Sequence, residues 1–251
     1  EAIDHNIDRY RKANATIKLP NVKPGTMIRV EQQTHSFIFG GNIFVYGQLS
    51  TPEMNRRYEQ TFGTLFNAAT IPFYWKTLEP EQGKPRFEAS SPYVFRRPPT
   101  DPIVDFCQQK GIMTKGHAII YGLRLHGHPV WMPENRDVMD SLFQAHIRTL
   151  ALRYSDKVKL WDVVNEPIDQ ANRGLMPDDY TFKCFQWARH YFPSSVQLNI
   201  NDVDLHSGVD LHRRYAELTR NLLYRGAKID HIGIEMHIFD PMEAADIAQG
   251  K

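Results

Sequence analysis

Short apolar runs alternate along this chain with stretches of helical period. Residues 36–39, 66–74, 112–121, 158–164, 196–200 and 229–238 are apolar and mostly flanked by turn residues, so they read as β-strands. Helical patterns lie between them. Over 135–154, Met139, Leu142, Phe143, His146, Ile147, Leu150 and Tyr154 fall on one face. Residues 178–192 and 209–224 repeat that periodicity, the second through Leu211, Tyr215, Leu218 and Leu222. Thr51-Pro52-Glu53 has the form of a helix start: a capping hydroxyl, a proline at the first position and an early acid.

Strands that alternate with helices imply a parallel sheet covered by helices. The strand starts lie about 30 to 50 residues apart, the repeat expected of a (β/α)8 TIM barrel. About six such units are counted, so an incomplete barrel is expected over 36–251. Residues 1–35 differ. The segments 15–19 and 27–33 alternate around a Lys23-Pro24-Gly25 turn, which predicts an N-terminal β-hairpin extension. Residues 84–102, rich in Pro, Ser and Arg, predict a long surface loop.

Composition narrows the picture modestly. The 251 residues carry a net charge of +1, which gives no argument for nucleic acid or an anionic membrane as partner. No apolar run approaches the ~18 residues of a membrane span, so no membrane insertion is expected. The chain opens at Glu1 without a visible signal peptide, as a processed or truncated chain would. Cys107 and Cys184 read as buried free thiols, with one disulfide as the alternative. No glycine-rich nucleotide loop is present. His126-Gly127-His128 could pair two metal ligands, but no further ligands at a recognisable spacing accompany them, and a loop near the cleft is the preferred reading.

The most informative stretch runs from Lys159 to Pro167, an apolar strand that ends in Asn165-Glu166-Pro167. A buried parallel strand ending so delivers a carboxyl group to the open end of a barrel. Beside an aromatic wall such a carboxyl has its pKa raised, which suits a general acid for glycosidic cleavage. An isolated Glu after a strand would more often be a capping or surface residue.

Trp161 to Pro167 resembles the acid/base motif of glycoside hydrolase family 10, the retaining endo-β-1,4-xylanases. Four further segments agree in order: Leu78 to Gly83, Lys115 to Tyr121, Leu198 to Asp202, and Ile229 to His237. The resemblance implies Glu166 as catalytic acid/base and Asn165 as ligand of the 2-hydroxyl of the sugar at the cleavage point. It implies that His117 binds that sugar and that His237 orients the nucleophile. Tyr121, Asn201 and Glu235 join them as expected site-lining residues. It further implies xylan or a related β-linked polysaccharide as substrate, no cofactor and no metal. A polymeric substrate in turn suggests an extracellular or periplasmic location.

The chain also departs from the pattern. The family nucleophile is a Glu on the seventh strand, which this sequence does not contain, so it is expected beyond residue 251. Glu235 falls where the family has a sixth-strand Gln and is read as polar lining rather than as a substitute nucleophile. On the second strand the usual Glu, Asn and Lys give way to Thr70-Ile71-Pro72-Phe73-Tyr74-Trp75. Tyr74 is then either a sugar platform or a core ring. Trp131 is likewise a platform or barrel packing, while Trp75 and Trp187 read as packing. Gly122 stands where the family usually has His, and 123–128 look like a small insertion. Two alternatives accompany the xylanase reading: a barrel hydrolase acting on another β-glycan, and a non-catalytic glycan-binding barrel.

Overall fold

The structure, a computed structural model, describes residues 2–33, 35–168, 172, 174–204 and 208–237. It divides into two compact units, Glu1–Phe37 and Ile38–Lys251.

In the first unit, α1 (Ala2–Tyr10) is followed by non-regular chain. The expected turn exists, with the Thr26 amide donating to the Lys23 carbonyl at 3.1 Å. The expected hairpin does not: residues 11–33 contain no strand. Ile17, Leu19, Met27, Ile28 and Val30, which would have formed its apolar face, are exposed. A two-stranded ribbon is marginal unless that face is covered, and Pro20 and Pro24 each remove a ladder donor.

The second unit carries β1 (Gly40–Asn42), α2 (Pro52–Leu65), β2 (Ala68–Pro72), α3 (Trp75–Leu78), α4 (Thr100–Lys110) and β3 (Met113–His117). Then come β4 (Ile120–Tyr121), α5 (Arg124–Gly127), α6 (Arg136–Tyr154), β5 (Leu160–Asn165), α7 (Tyr180–Tyr191), β6 (Gln197–Asp204), α8 (Gly208–Tyr224) and β7 (His231–Glu235). The sheet order is β1-β2-β3-β5-β6-β7, with β4 continuing the line of β3 along β5. The described pairings are all parallel. This is the half-barrel sheet of six strands expected of a partial (β/α)8 barrel.

The helix starts follow from local chemistry. Thr51 caps α2 through its hydroxyl and the Met54 amide, and Asn135 caps α6 through the Val138 amide. The core lies between sheet and helices, where Phe73, Phe143, Ile147, Tyr154, Trp161, Val164, Phe185 and Ile200 are buried. Cys107 and Cys184 are both buried and free.

Two boundaries differ from the sequence reading. The first strand begins at Gly40, beyond the apolar run 36–39, whose Phe37, Ile38 and Phe39 are exposed. Gly40 pairs with Ala68 so closely that a Cβ at residue 40 would lie 3.0 Å from both the Ala68 Cβ and its carbonyl oxygen. Contact between the two segments nevertheless reaches one residue further back, where the Phe39 carbonyl accepts from the Asn67 amide at 3.0 Å. The segment 84–102 is not simply a surface loop: its end enters α4, and its middle wraps a buried Arg86. That guanidinium donates to the carbonyls of Thr77 (2.9 Å), Pro92 (2.8 Å) and Arg97 (3.1 Å). Carbonyls from three separate points on the chain satisfy a charge that would otherwise be costly to bury.

Candidate active site

All strands of the parallel sheet end on one side, and β5 is buried along almost its whole length. It therefore delivers the residue after Asn165 to the rim of the sheet, as barrel sites require. Register aligns Tyr121 with Asn165, Asn165 with Asn201, and Asn201 with Gly233. The ends of β4 and β5 thus lie beside Asn201 on β6 and Gly233 on β7.

Glu166 has a positive φ of 50°, a left-handed conformation uncommon for a residue with a side chain. Its amide donates to the Asn201 carbonyl at 2.8 Å, and its Oε1 accepts from the Tyr121 hydroxyl at 2.5 Å. Burial raises the Glu166 carboxyl above its ordinary pKa, and the nearby Glu235 pushes the same way. The Tyr121 hydroxyl opposes both, as do His117 and His126, but burial prevails. A carboxyl so placed is biased toward its protonated form, the form a general acid needs.

Gly122 explains one departure in the sequence. A Cβ there would lie 1.9 Å from the Glu166 carbonyl oxygen. The Gly122 amide donates to Asn165 O at 2.6 Å, so β4 and the acid-bearing turn are in backbone contact. No side chain fits between them.

An amide and acid chain runs from Asn165 across β6 to β7. Asn201 Nδ2 donates to Asn165 Oδ1 at 2.6 Å and to Glu235 Oε1 at 3.0 Å. Glu235 Oε2 faces His237 Nε2 at 3.0 Å. Asn165 Nδ2 is buried and has no partner among the described residues. Such an orphan donor in a site needs an explanation, because leaving one unpaired costs about 1–3 kcal/mol.

On the β3 side, His117 Nδ1 lies 2.7 Å from Asp162 Oδ2, which also meets Lys115 Nζ at 2.9 Å. Asn199 Nδ2 donates to the other carboxylate oxygen. Burial alone would raise the Asp162 carboxyl, yet His117, Lys115 and Asn199 outweigh it and hold it below the ordinary value. Asp162 thus fixes the His117 ring and tautomer and leaves Nε2 for another partner.

Tyr74 extends this wall from β2. Its ring is offset-stacked on Tyr121 (centroids 5.9 Å apart, 29° between planes) and meets His117 edge-on at 5.2 Å. The Arg97 guanidinium lies over the Tyr74 ring at 4.0 Å.

Glu166, Asn165, His117, Tyr121, Tyr74, Asn201, Glu235 and His237 are therefore linked through contacts. Trp131 is tied elsewhere. Its Nε1 donates to the Glu79 carbonyl at 2.8 Å and its ring meets Trp75 edge-on. With Trp75, Glu79 and Leu142 it lines a separate cavity of about 380 Å³. Glu79 holds this corner together, since its carboxylate accepts from Trp75 Nε1 (2.8 Å) and from the Gly83 amide (2.6 Å). The segment 78–83 is thus a structural clasp. His126 and His128 diverge: His128 is buried edge-on to Phe143 with Nε2 at 3.0 Å from the Tyr121 carbonyl, and burial pushes its pKa down to about 4. His126 sits near the Tyr121 ring at 6.4 Å. Among the described residues no group of three or more metal-ligating side chains converges.

Three residues here escaped the sequence reading. Asp162 sits inside the acid/base segment, but nothing local says that it faces His117. Asp202 accepts from the Ile168 and Val203 amides, and burial, with Glu166 and Glu235 nearby, raises its pKa to about 6. Arg97 lay in a segment read as surface loop.

The fold and site define a (β/α)-barrel protein with a half-buried acid at a strand end, the architecture of glycan-cleaving barrels. Residues 34–249 match the family described as glycosyl hydrolase family 10, and the chain belongs to that family. It is 33% identical over 153 residues to endo-1,4-beta-xylanase B of Paenibacillus barcinonensis, covering 55% of this chain and 45% of that one. It is 28% identical over 192 residues to a beta-1,4-xylanase of Dictyoglomus thermophilum, covering 72% and 50%. The chain thus spans about half the length of these curated relatives. Among solved structures, xylanase XynB from Paenibacillus barcinonensis, complexed with a conduramine derivative, superposes with a TM-score of 0.63 at 27% identity. That match covers 85% of this chain and 64% of the other. Xylanase 10B from Thermotoga petrophila RKU-1, in complex with xylobiose, shares the fold at TM-score 0.64 and 22% identity over 79% of this chain and 59% of that one. Among the described residues no helix is long and apolar enough to cross a membrane.

Proposed function

We propose that this chain carries the acid/base side of a retaining endo-β-1,4-xylanase that hydrolyses xylan outside the cytoplasm, extracellularly or in the periplasm. The observation that carries the reading is Glu166: a strand-end carboxyl raised by burial, accepting from Tyr121 and flanked by the Asn165–Asn201 amide pair. In this mechanism Glu166 protonates the leaving glycosidic oxygen while a second carboxylate attacks the anomeric carbon. Glu166 then takes a proton from the water that releases the glycosyl-enzyme. The attacking Glu is assigned to a strand following residue 251 in the longer protein, with no cofactor or metal in the chemistry. The orphan amide of Asn165 is assigned to a sugar hydroxyl and His117 Nε2 to another, with Asp162 holding the ring. Glu235 and His237 line the opposite side.

The test is kinetic. In the full-length protein, Glu166→Ala should lower activity on xylan by orders of magnitude. It should spare aryl xylosides with good leaving groups, which need no proton, and azide should partly restore turnover on those. An unchanged rate on xylan would remove Glu166 from the role.

One observation favours the neighbouring reading, a hydrolase of another β-glycan. Pro72 and Phe73 are buried, so β2 offers the site a single ring, Tyr74, in place of charged and amide side chains. Comparing hydrolysis of xylan, β-1,4-glucan and mixed-linkage glucan separates the two.

A further inference from the structure

The β2 side of the site has lost polar side chains from its strand and holds an arginine from a distant loop. Arg97 is half-buried, with its guanidinium 4.0 Å from the Tyr74 ring centroid and 5.2 Å from that of Phe44. Tyr74 stacks on Tyr121, and Tyr121 donates to Glu166. The cation is therefore two rings away from the acid.

Among the described residues Arg97 has no carboxylate partner. Among those residues its guanidinium makes one hydrogen bond, to the neighbouring carbonyl of Arg96 at 2.8 Å. The contrast with other arginines of this protein is sharp. Arg86 is buried but satisfied by carbonyls, and Arg153 and Arg225 hold Asp101 and Asp179. Desolvation without a counter-charge disfavours the Arg97 cation, which Tyr74 and Tyr121 offset only in part while the adjacent Arg96 adds like-charge repulsion. A site that supplied an anion would relieve both.

Its position is also fixed in advance. The Arg97 amide donates to Val94 O at 3.0 Å, and its carbonyl accepts from Arg86. Gln48 pins the same turn by donating to Val94 O (2.8 Å) and accepting from the Arg96 amide (2.7 Å). Arg96 has a φ of 58° there. A hydrogen-bonded turn and an aromatic ring beneath a half-buried guanidinium orient its donors to meet a planar anion. Guanidinium forks match carboxylates in two-point contact.

We propose that Arg97 recognises a carboxylate carried by the glycan on the β2 side of Glu166, so that the protein selects β-linked glycans bearing uronic acid groups. This inference rests on the glycan-hydrolase reading above. It adds a specificity determinant from outside the strand ends.

The test is binding by the full chain to two xylans that differ only at the acid: a glucuronoxylan, and the same polymer with its carboxyl groups reduced to alcohols. The native chain should bind the acidic polymer more tightly, by about tenfold or more, through a charge-assisted bond. Arg97→Gln should abolish that preference while leaving the affinity for the reduced polymer unchanged. Arg97→Lys should keep part of it and guards against misfolding of the glutamine variant, which circular dichroism checks directly. Equal native affinity for the two polymers, or a preference that survives in a folded Arg97→Gln, overturns the inference and leaves the xylan reading standing. Binding to neither polymer overturns both.

Discussion

On the β5–β7 side of Glu166, Asn165, Asn201 and Glu235 form a hydrogen-bonded chain; on the β2 side, Tyr74 and Tyr121 stack beneath Arg97. The first arrangement is directional. Each amide has a defined donor and acceptor, and a displaced atom loses a bond outright. The second is built from ring contacts and a cation–π pair, whose energies are smaller and vary slowly with position. In the proposed function the first side suits exact placement of sugar hydroxyls beside Glu166. The other suits tolerance of different sugars and recognition of a charge. The comparison predicts that substitutions on the directional side damage stability and chemistry together, whereas those on the ring side change selectivity or pH response and leave the fold intact.

The largest effect is expected at Asp162, a buried carboxylate held by directional contacts to His117, Lys115 and Asn199. Asp162→Ala leaves Lys115 without its counter-ion and His117 without its orienting acceptor. Breaking a buried charge pair from one side costs about 3–5 kcal/mol, and the measurement is chemical denaturation at neutral pH. The sign with pH follows from the direction of the shift. Because the folded state holds the Asp162 carboxyl below its ordinary value, its contribution is present above about pH 3.9 and fades as pH falls below that. The gap between native and variant should therefore narrow on acidification. A variant as stable as the native chain at pH 7 would break the distinction between the two sides.

Asn201→Ala should come next. It removes a donor shared by Asn165 Oδ1 and Glu235 Oε1 and leaves a second unsatisfied atom on the already orphaned Asn165. The expected loss is about 1–3 kcal/mol in unfolding free energy. Binding of xylo-oligosaccharides should weaken in parallel if Asn165 contacts sugar. Tyr74→Leu provides the contrast, with a smaller loss of stability and a larger change in which glycans bind.

The two sides also differed in how legible they were. Residues 160–165 delivering Glu166, and the strands bearing His117, Asn201 and Glu235, were visible because each signal is local: an apolar run, then a polar residue at its end. Helix caps at Thr51 and Asn135 were legible for the same reason. Arg97 was not, because its significance depends on residues 23 and 53 positions away, Tyr74 and Phe44, and on the Arg86 clasp that folds the loop back. The Pro- and Arg-rich composition of 84–102 is what a solvent loop also has. The hairpin failed for the converse reason: alternation in 15–19 and 27–33 is a local signal, but a strand pair forms only where its apolar face is covered, and those side chains are exposed.

Tyr121→Phe tests the junction, since this ring belongs to the aromatic stack while its hydroxyl reaches the acid. Removing one oxygen leaves the stacking intact, so stability should change by no more than about 1 kcal/mol. The chemistry should respond through protonation. Burial raises the Glu166 carboxyl and the Tyr121 hydroxyl opposes that rise by donating to its ionised form. Loss of the donor should therefore move the pKa of Glu166 further up. In the full-length protein the high-pH limb of the rate profile, where the acid loses its proton, should shift to higher pH. A carbon-13 titration of the Glu166 carboxyl in this chain should show the same direction without relying on turnover. No shift would mean that another group stabilises the ionised acid and that the aromatic side does not tune the acid it borders, and a downward shift would mean that the hydroxyl favours the protonated form instead.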